Sequence, residues 1–87
     1  MEKVLNPKPF TLYGTAACHL CELAEEMLLA RRLADAGFAF EKTDISDSDA
    51  LFERYGVRIP VLRDAQGREL AWPFSPDELQ DFVTAPC

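Results

Sequence analysis

A β-forming run, a helical stripe and a second β-forming run follow one another at the start of this chain, and that order leaves few folds open. Phe10, Leu12 and Tyr13, entered through Pro7 and Pro9, predict a first strand over Pro9–Tyr13 that Gly14 and Thr15 break. A helical pattern starts at Cys18. Leu20, Leu23, Ala24, Met27, Leu28 and Arg31 recur at the i, i+3, i+4, i+7 spacing of one helix face. Glu22, Glu25 and Glu26 sit early and Arg31 and Arg32 late, which complements the helix dipole. Gly37 stands where a C-terminal glycine belongs. Phe38 and Phe40, on one face, open a second strand that runs to Asp44. Strand, helix and strand in this order imply two parallel strands joined by a right-handed crossover.

The second half is punctuated more tightly. Ser46, Asp47 and Ser48 each offer an N-cap for a short helix ending at Tyr55, and Gly56 stops it. Val61 and Leu62 continue as a strand after Pro60. Asp64-Ala65-Gln66-Gly67 reads as a turn, and Arg68–Ala71 return, so an antiparallel hairpin is expected. Ser75-Pro76-Asp77-Glu78 is a strong helix start: Ser75 caps, Pro76 suits the first helical position and Glu78 completes a capping box. Leu79, Phe82 and Val83 form the buried stripe of the last helix. The order β-α-β-α-β-β-α predicts an α/β architecture, a four-stranded mixed sheet with helices on its faces.

At 87 residues the chain has room for one domain, 1–87, with residues 1–8 expected to form a flexible N-terminus. Hydrophobic residues make up 48% and charged residues 28%, an ordinary globular balance. A net charge of −6 and a pI near 4.6 argue against nucleic-acid and anionic-membrane partners, which need clustered Lys and Arg. No apolar segment precedes Pro9, and the longest apolar run, Met27 to Ala30, is too short to span a bilayer. The expected setting is the cytoplasm. Three cysteines, an odd number, do not make a secreted disulfide scaffold, so two close ones point to catalysis or metal.

Cys18-His19-Leu20-Cys21 is the sharpest chemical feature. Cysteines three apart on a helix share a face, within the roughly 4.4–6.8 Å between Cα atoms that a disulfide spans. Cys18 falls where the first strand gives way to the helix, and there free N–H groups and the dipole favour an anion. A thiolate so placed has its pKa lowered into the range of about 3.5–7.5, and only the thiolate attacks a disulfide. Cys21, one turn further in, is expected to be more buried. His19 has two readings: a cationic modulator of the Cys18 pKa, or a solvent-facing residue of little effect. Packing alone and metal binding are the rivals for the pair. Zinc wants four ligands, and Cys18, Cys21 and His19 are the local ones, with Cys87 far away. No metal site is expected.

Further candidates lie downstream. Pro60, at a strand entry, is either an ordinary trans proline or a cis one that exposes the Ile59 backbone to an extended substrate. Arg58 is a candidate partner for a carboxylate. The helix start around Phe74 and Ser75 offers N–H groups to a carboxylate, unless Ser75 fills that need as N-cap. Cys87 has no expected role.

Phe10-Thr11-Leu12-Tyr13, Cys18-x-x-Cys21 and Tyr55-Gly56-Val57-Arg58-Ile59-Pro60-Val61-Leu62 together resemble the thioredoxin superfamily. The length and the start directly at this strand resemble its glutaredoxins. Cys-His-Leu-Cys with Trp72-Pro73-Phe74 is most similar to short bacterial glutaredoxin-like domains, over about Pro9 to Val83. The resemblance implies a thioredoxin-like fold and a thiol–disulfide oxidoreductase that reduces disulfides or mixed disulfides. It implies that Cys18 attacks and Cys21 resolves. Pro60 would be the family's cis-proline, Ile59 the residue whose backbone pairs with substrate, and the region after the fourth strand the holder of glutathione's glutamyl end. Glutathione is then a candidate co-substrate, no cofactor is expected to be tightly bound, the expected partner is a disulfide-containing protein or glutathione, and a monomer is expected. His19 and Leu20 replace the common Pro-Tyr, Gly14–Ala17 lacks the lysine that often precedes the motif, and Trp72–Ser75 replaces a Gly-Gly and acidic segment, so glutathione use stays open. The alternatives are a metal or iron–sulfur carrier and a catalytically silent thioredoxin-fold binding module.

Overall fold

The leading helix, α1, runs from His19 to Ala34 in the computed structural model, which describes residues 10–35 and 37–84. Its buried face is Cys21, Ala24 and Leu28, whereas Leu20 and Leu23 of the expected stripe stay 46% and 37% exposed. The small side chain of Ala24, fully buried, lets the helix backbone close on the sheet, so the row through 21, 24 and 28 takes the contact. The helix also stops before Gly37. Asp35 caps it in an extended conformation, with its N–H on the Arg31 carbonyl, and its carboxylate then accepts the Gly37 N–H at 3.0 Å. The helix thus ends on a backbone N–H from an extended residue, and the Asp35 carboxylate fixes the turn that follows.

Four strands follow the expected order: β1 (Phe10–Gly14), β2 (Phe40–Asp44), β3 (Val61–Arg63) and β4 (Glu69–Ala71). The sheet order is β2-β1-β3-β4. β1 and β2 are parallel, with Phe10 opposite Phe40; β1–β3 and β3–β4 are antiparallel. Gly14, expected to break β1, is its last residue, while Phe38 is buried just ahead of β2. A single 3₁₀ turn, Ile45–Asp47, precedes α2 (Asp49–Tyr55), which Ser48 caps through the Leu51 N–H. The last helix, α3 (Pro76–Thr84), begins with the expected reciprocal box: Ser75 Oγ accepts the Glu78 N–H at 3.0 Å and Glu78 Oε1 accepts the Ser75 N–H at 2.8 Å. Residues 1–9 and Cys87, with the readings made of them, lie outside the described residues.

Alternation along the strands gives the sheet two unequal faces. Leu12 and Leu62 pack with Ala24, Leu28, Phe38, Phe74 and Leu79 under α1 and α3. Tyr13 and Val61, on the other face, meet Ile45 and Tyr55 under α2, and the Tyr13 and Tyr55 rings stack at 4.4 Å. The β3–β4 turn is built on Asp64, whose carboxylate accepts the N–H groups of Gln66 and Arg68 and the Arg68 Nε at 2.6 Å. Gly67 takes the left-handed conformation there, φ 91°. Sheet order and flanking helices make this the thioredoxin-like α/β arrangement expected from the sequence.

Two measurements test this packing. Leu28→Ala should lower unfolding free energy by about 2–5 kcal/mol in urea titration, and Leu33→Ala, at a 91% exposed position, by less than about 0.5 kcal/mol. Burial of Asp64 works to raise its pKa, but the hydrogen bonds from Arg68 and Gln66 outweigh it and hold the carboxyl below the usual aspartate value. Its contribution to stability is therefore complete above the unfolded value of about 3.9 and is lost as pH falls through the lower folded value. Asp64→Asn should flatten the acid limb of stability against pH, below about pH 4.

Candidate active site

The site begins with the geometry of a helix start. Cys18 is the N-cap of α1, extended at φ −118°, and its Sγ accepts the Cys21 N–H at 3.0 Å. The sulfur thus occupies the place of a capping oxygen, where a helix leaves N–H groups unpaired. The Cys18 carbonyl accepts the first intrahelical bond, from Glu22 N–H. Cys18 and Cys21 are joined as a disulfide with their Cα atoms 5.2 Å apart. Cys18 is half-buried and Cys21 is buried, as the one-turn offset predicts.

Gly14 brings this pair to the sheet. A Cβ at Gly14 would lie 2.9 Å from Cys21 Sγ and 3.1 Å from Cys21 Cβ, closer than packed atoms tolerate. On the other side, Tyr13 stands opposite Val61 in the antiparallel register, so Gly14 is next to be opposite Pro60. Cys21 thus packs on the helix-covered face of Gly14, and Pro60 adjoins Gly14 within the plane of the sheet. The Ile59–Pro60 peptide is cis, and Pro60 is buried with its carbonyl accepting the Trp72 N–H at 3.0 Å. The Trp72–Pro73 peptide is also cis, a feature with no reading in the sequence.

The remaining candidates separate. Ile59 is half-buried, and its N–H is bonded to the Tyr55 carbonyl at 3.1 Å, so the strand-like pairing expected of its backbone is left to its carbonyl. Arg58 is exposed but held: its Nη2 donates to Glu69 Oε1 at 2.9 Å, and its guanidinium lies 5.6 Å from the Tyr55 ring centre. Phe74 is 4% exposed and belongs to the core, edge-on to Trp72, so its side chain is not a ligand. Ser75 spends its hydroxyl and its N–H on the capping box, which leaves that helix start with backbone groups alone. The His19 side chain is 79% exposed and lies 3.6 Å from the Glu22 carboxylate.

Two features escaped the sequence. A groove of about 410 Å³ opens beside Cys21, between β1, β2 and α1, and includes Gly14, Thr15, Glu25, Lys42 and Asp44 in its walls. Lys42 and Glu25 bridge it at 3.2 Å. Glu69, the second, gathers Tyr55, Arg54 and Arg58 on one carboxylate, and the hydrogen bond from Tyr55, with help from Arg58, holds its pKa below the usual value. Neither could be found by spacing, because each joins elements distant in the chain. Among the described residues no three His, Cys, Asp or Glu side chains gather as a metal site, and no helix is long and apolar enough to cross a membrane.

The Gly14 contact is directly testable. Gly14→Ala should force Cys21 off its seat and destabilise the oxidised protein by about 1–3 kcal/mol in thermal unfolding, as overpacking does. An unchanged melting temperature would contradict the close approach.

Comparison with known proteins places this geometry. The model of the glutaredoxin-like domain (DUF836) matches residues 10–84. The X-ray structure of the structural-genomics target protein XcR50 from X. campestris is 44% identical, with a TM-score of 0.79 over 90% of this chain and 99% of that one. The solution structure of XcR50 gives 42% identity and a TM-score of 0.77 over 92% and 97% of the two chains. The solution structure of Ne2328 from Nitrosomonas europaea is 26% identical, with a TM-score of 0.74 over 94% and 98%. No curated protein matches the chain significantly. The family match takes in the cysteine pair, Pro60 and every strand and helix described above, and the chain belongs to the glutaredoxin-like domain family.

Proposed function

We propose that the chain is a thiol–disulfide oxidoreductase that reduces protein disulfides or mixed disulfides through Cys18 and Cys21. The observation that supports this most is the half-buried Cys18 sulfur receiving a backbone N–H at the mouth of α1 while bonded to the buried Cys21. In the reduced protein the Cys18 thiolate attacks one sulfur of the substrate disulfide. A Cys18–substrate disulfide forms, and the other substrate sulfur leaves as a thiolate that takes up a proton. Cys21 then loses its proton and attacks Cys18, which forms the Cys18–Cys21 bond and releases the second substrate thiolate. The substrate gains two electrons and the dithiol loses them. The Cys21 N–H that points at Cys18 stabilises its negative charge whenever Cys18 is the attacking or leaving sulfur.

Glutathione, or a reductase, resets the pair by running these exchanges in reverse. The Ile59 carbonyl beside Pro60 and the backbone groups at the start of α3 are the proposed contacts for substrate. Action as a monomer in the cytoplasm completes the reading; it rests on the acidic composition and on the reducing conditions such a dithiol needs.

Equilibrate the protein in glutathione redox buffers and count free thiols by alkylation and mass. A Cys18–Cys21 disulfide should form and break at a defined poise, and Cys18→Ser should abolish disulfide reduction. If no poise yields the Cys18–Cys21 bond, the proposal fails.

A further inference from the structure

The chain carries a net charge of −6, yet its cations are not spread evenly. Arg31, Lys42 and Arg68 each lie against a carboxylate of their own, Asp35, Glu25 and Asp64. Arg54 and Arg58 instead share one, Glu69, and Arg63 lies on the strand beside it. Arg54 and Arg58 bond its two oxygens at 3.3 and 2.9 Å. Arg63 stands directly opposite Glu69 in the β3–β4 register. Tyr55 donates to Glu69 at 2.6 Å, and Arg54 and Arg58 both lie over its ring, 5.4 and 5.6 Å from the centre.

Like charges gathered so closely repel, and one buried-side carboxylate offsets only part of that. The arrangement does not hide them either. The Arg54 and Arg58 side chains are 59% and 42% exposed, whereas Glu69 beneath them is 16% exposed. What reaches solvent is guanidinium. Tyr55 and Glu69 hold it in place, so little side-chain entropy is lost when an anion docks. Asp49 and Glu53 of α2 are exposed but, by helix geometry, occupy a neighbouring stripe. The position matters as much as the charge. Arg58 lies two residues before Pro60, the sheet neighbour of the Gly14 on which Cys21 packs, and Arg63 lies three residues after it.

We infer that the Arg54–Arg58–Arg63 cluster is a docking surface for acidic polypeptide segments, so that the preferred substrates are proteins whose reactive disulfide is flanked by Asp and Glu. This deepens the proposed dithiol function and rests on it for the catalytic readout. Docking itself has a separate readout.

The test uses two peptides with the same disulfide, one flanked by aspartates and the other by lysines, besides a small uncharged disulfide and a glutathione mixed disulfide. Reduction of the aspartate peptide should be favoured roughly tenfold or more in kcat/KM at low salt. The gap should shrink as the Debye length falls from about 30 to about 8 Å. Arg54→Gln with Arg63→Gln should remove the preference while leaving reduction of the uncharged disulfide unchanged. Arg54→Glu with Arg63→Glu should turn it toward the lysine peptide, a gain that misfolding cannot mimic. Fluorescence anisotropy of the same peptides with serine in place of cysteine reads docking without chemistry.

Equal handling of both peptides by the unaltered protein overturns the inference. So does a preference that survives the glutamine pair, or an advantage confined to the glutathione mixed disulfide. Failure to reduce even the uncharged disulfide, with the aspartate peptide still bound more tightly, sinks the dithiol function and leaves the docking surface standing.

Discussion

The cysteine pair can meet the sheet only because nothing projects from Gly14. Cys21 occupies the space a side chain would need, and the antiparallel register puts Pro60 beside the same residue, just ahead of β3. One missing Cβ therefore fixes how near the first helix approaches its strand and how near the sulfurs come to the backbone that leads into β3. The rest of α1 obeys the same demand for closeness. Ala24, fully buried, continues the row that Cys21 begins, and Leu28 is the first large side chain to fill the space behind it.

Much of this was legible because it depends on neighbours in the chain. The capping box of Ser75 and Glu78, the turn on Asp64 and the helix start at Cys18 are all set by residues within four positions of each other, and each formed as read. The parallel pairing of β1 with β2 and the antiparallel hairpin of β3 with β4 follow from the connections between them. What was misread depends on distance. Leu20 and Leu23 fit the helical period as well as Cys21 and Ala24 do; only the closeness of the sheet chooses between them. The Phe74 side chain likewise fills the core beside Leu12 and Leu79, a placement that its neighbours in the chain do not announce. Arg58 was read as a candidate partner for a carboxylate, and the carboxylate it meets is that of Glu69, eleven residues on, which no spacing rule names.

The two faces of the sheet divide the labour. One is thick and apolar, with α1 and α3 over Leu12, Leu62 and Phe38. The other rests on a short helix, a stacked tyrosine pair and a layer of guanidinium and carboxylate groups. Stability comes chiefly from the first, since apolar area removed from water outweighs exposed ion pairs. The second is thus freer to vary in charge without loss of the fold.

The outer strands limit how such a sheet can grow. β2 carries Glu41 and Lys42, both exposed, and β4 is three residues long and ends within two residues of Pro73, which has no N–H to give. Charged, abbreviated rims of this kind resist edge-to-edge association with another sheet. Strand addition by a visiting extended chain is thus disfavoured at either rim.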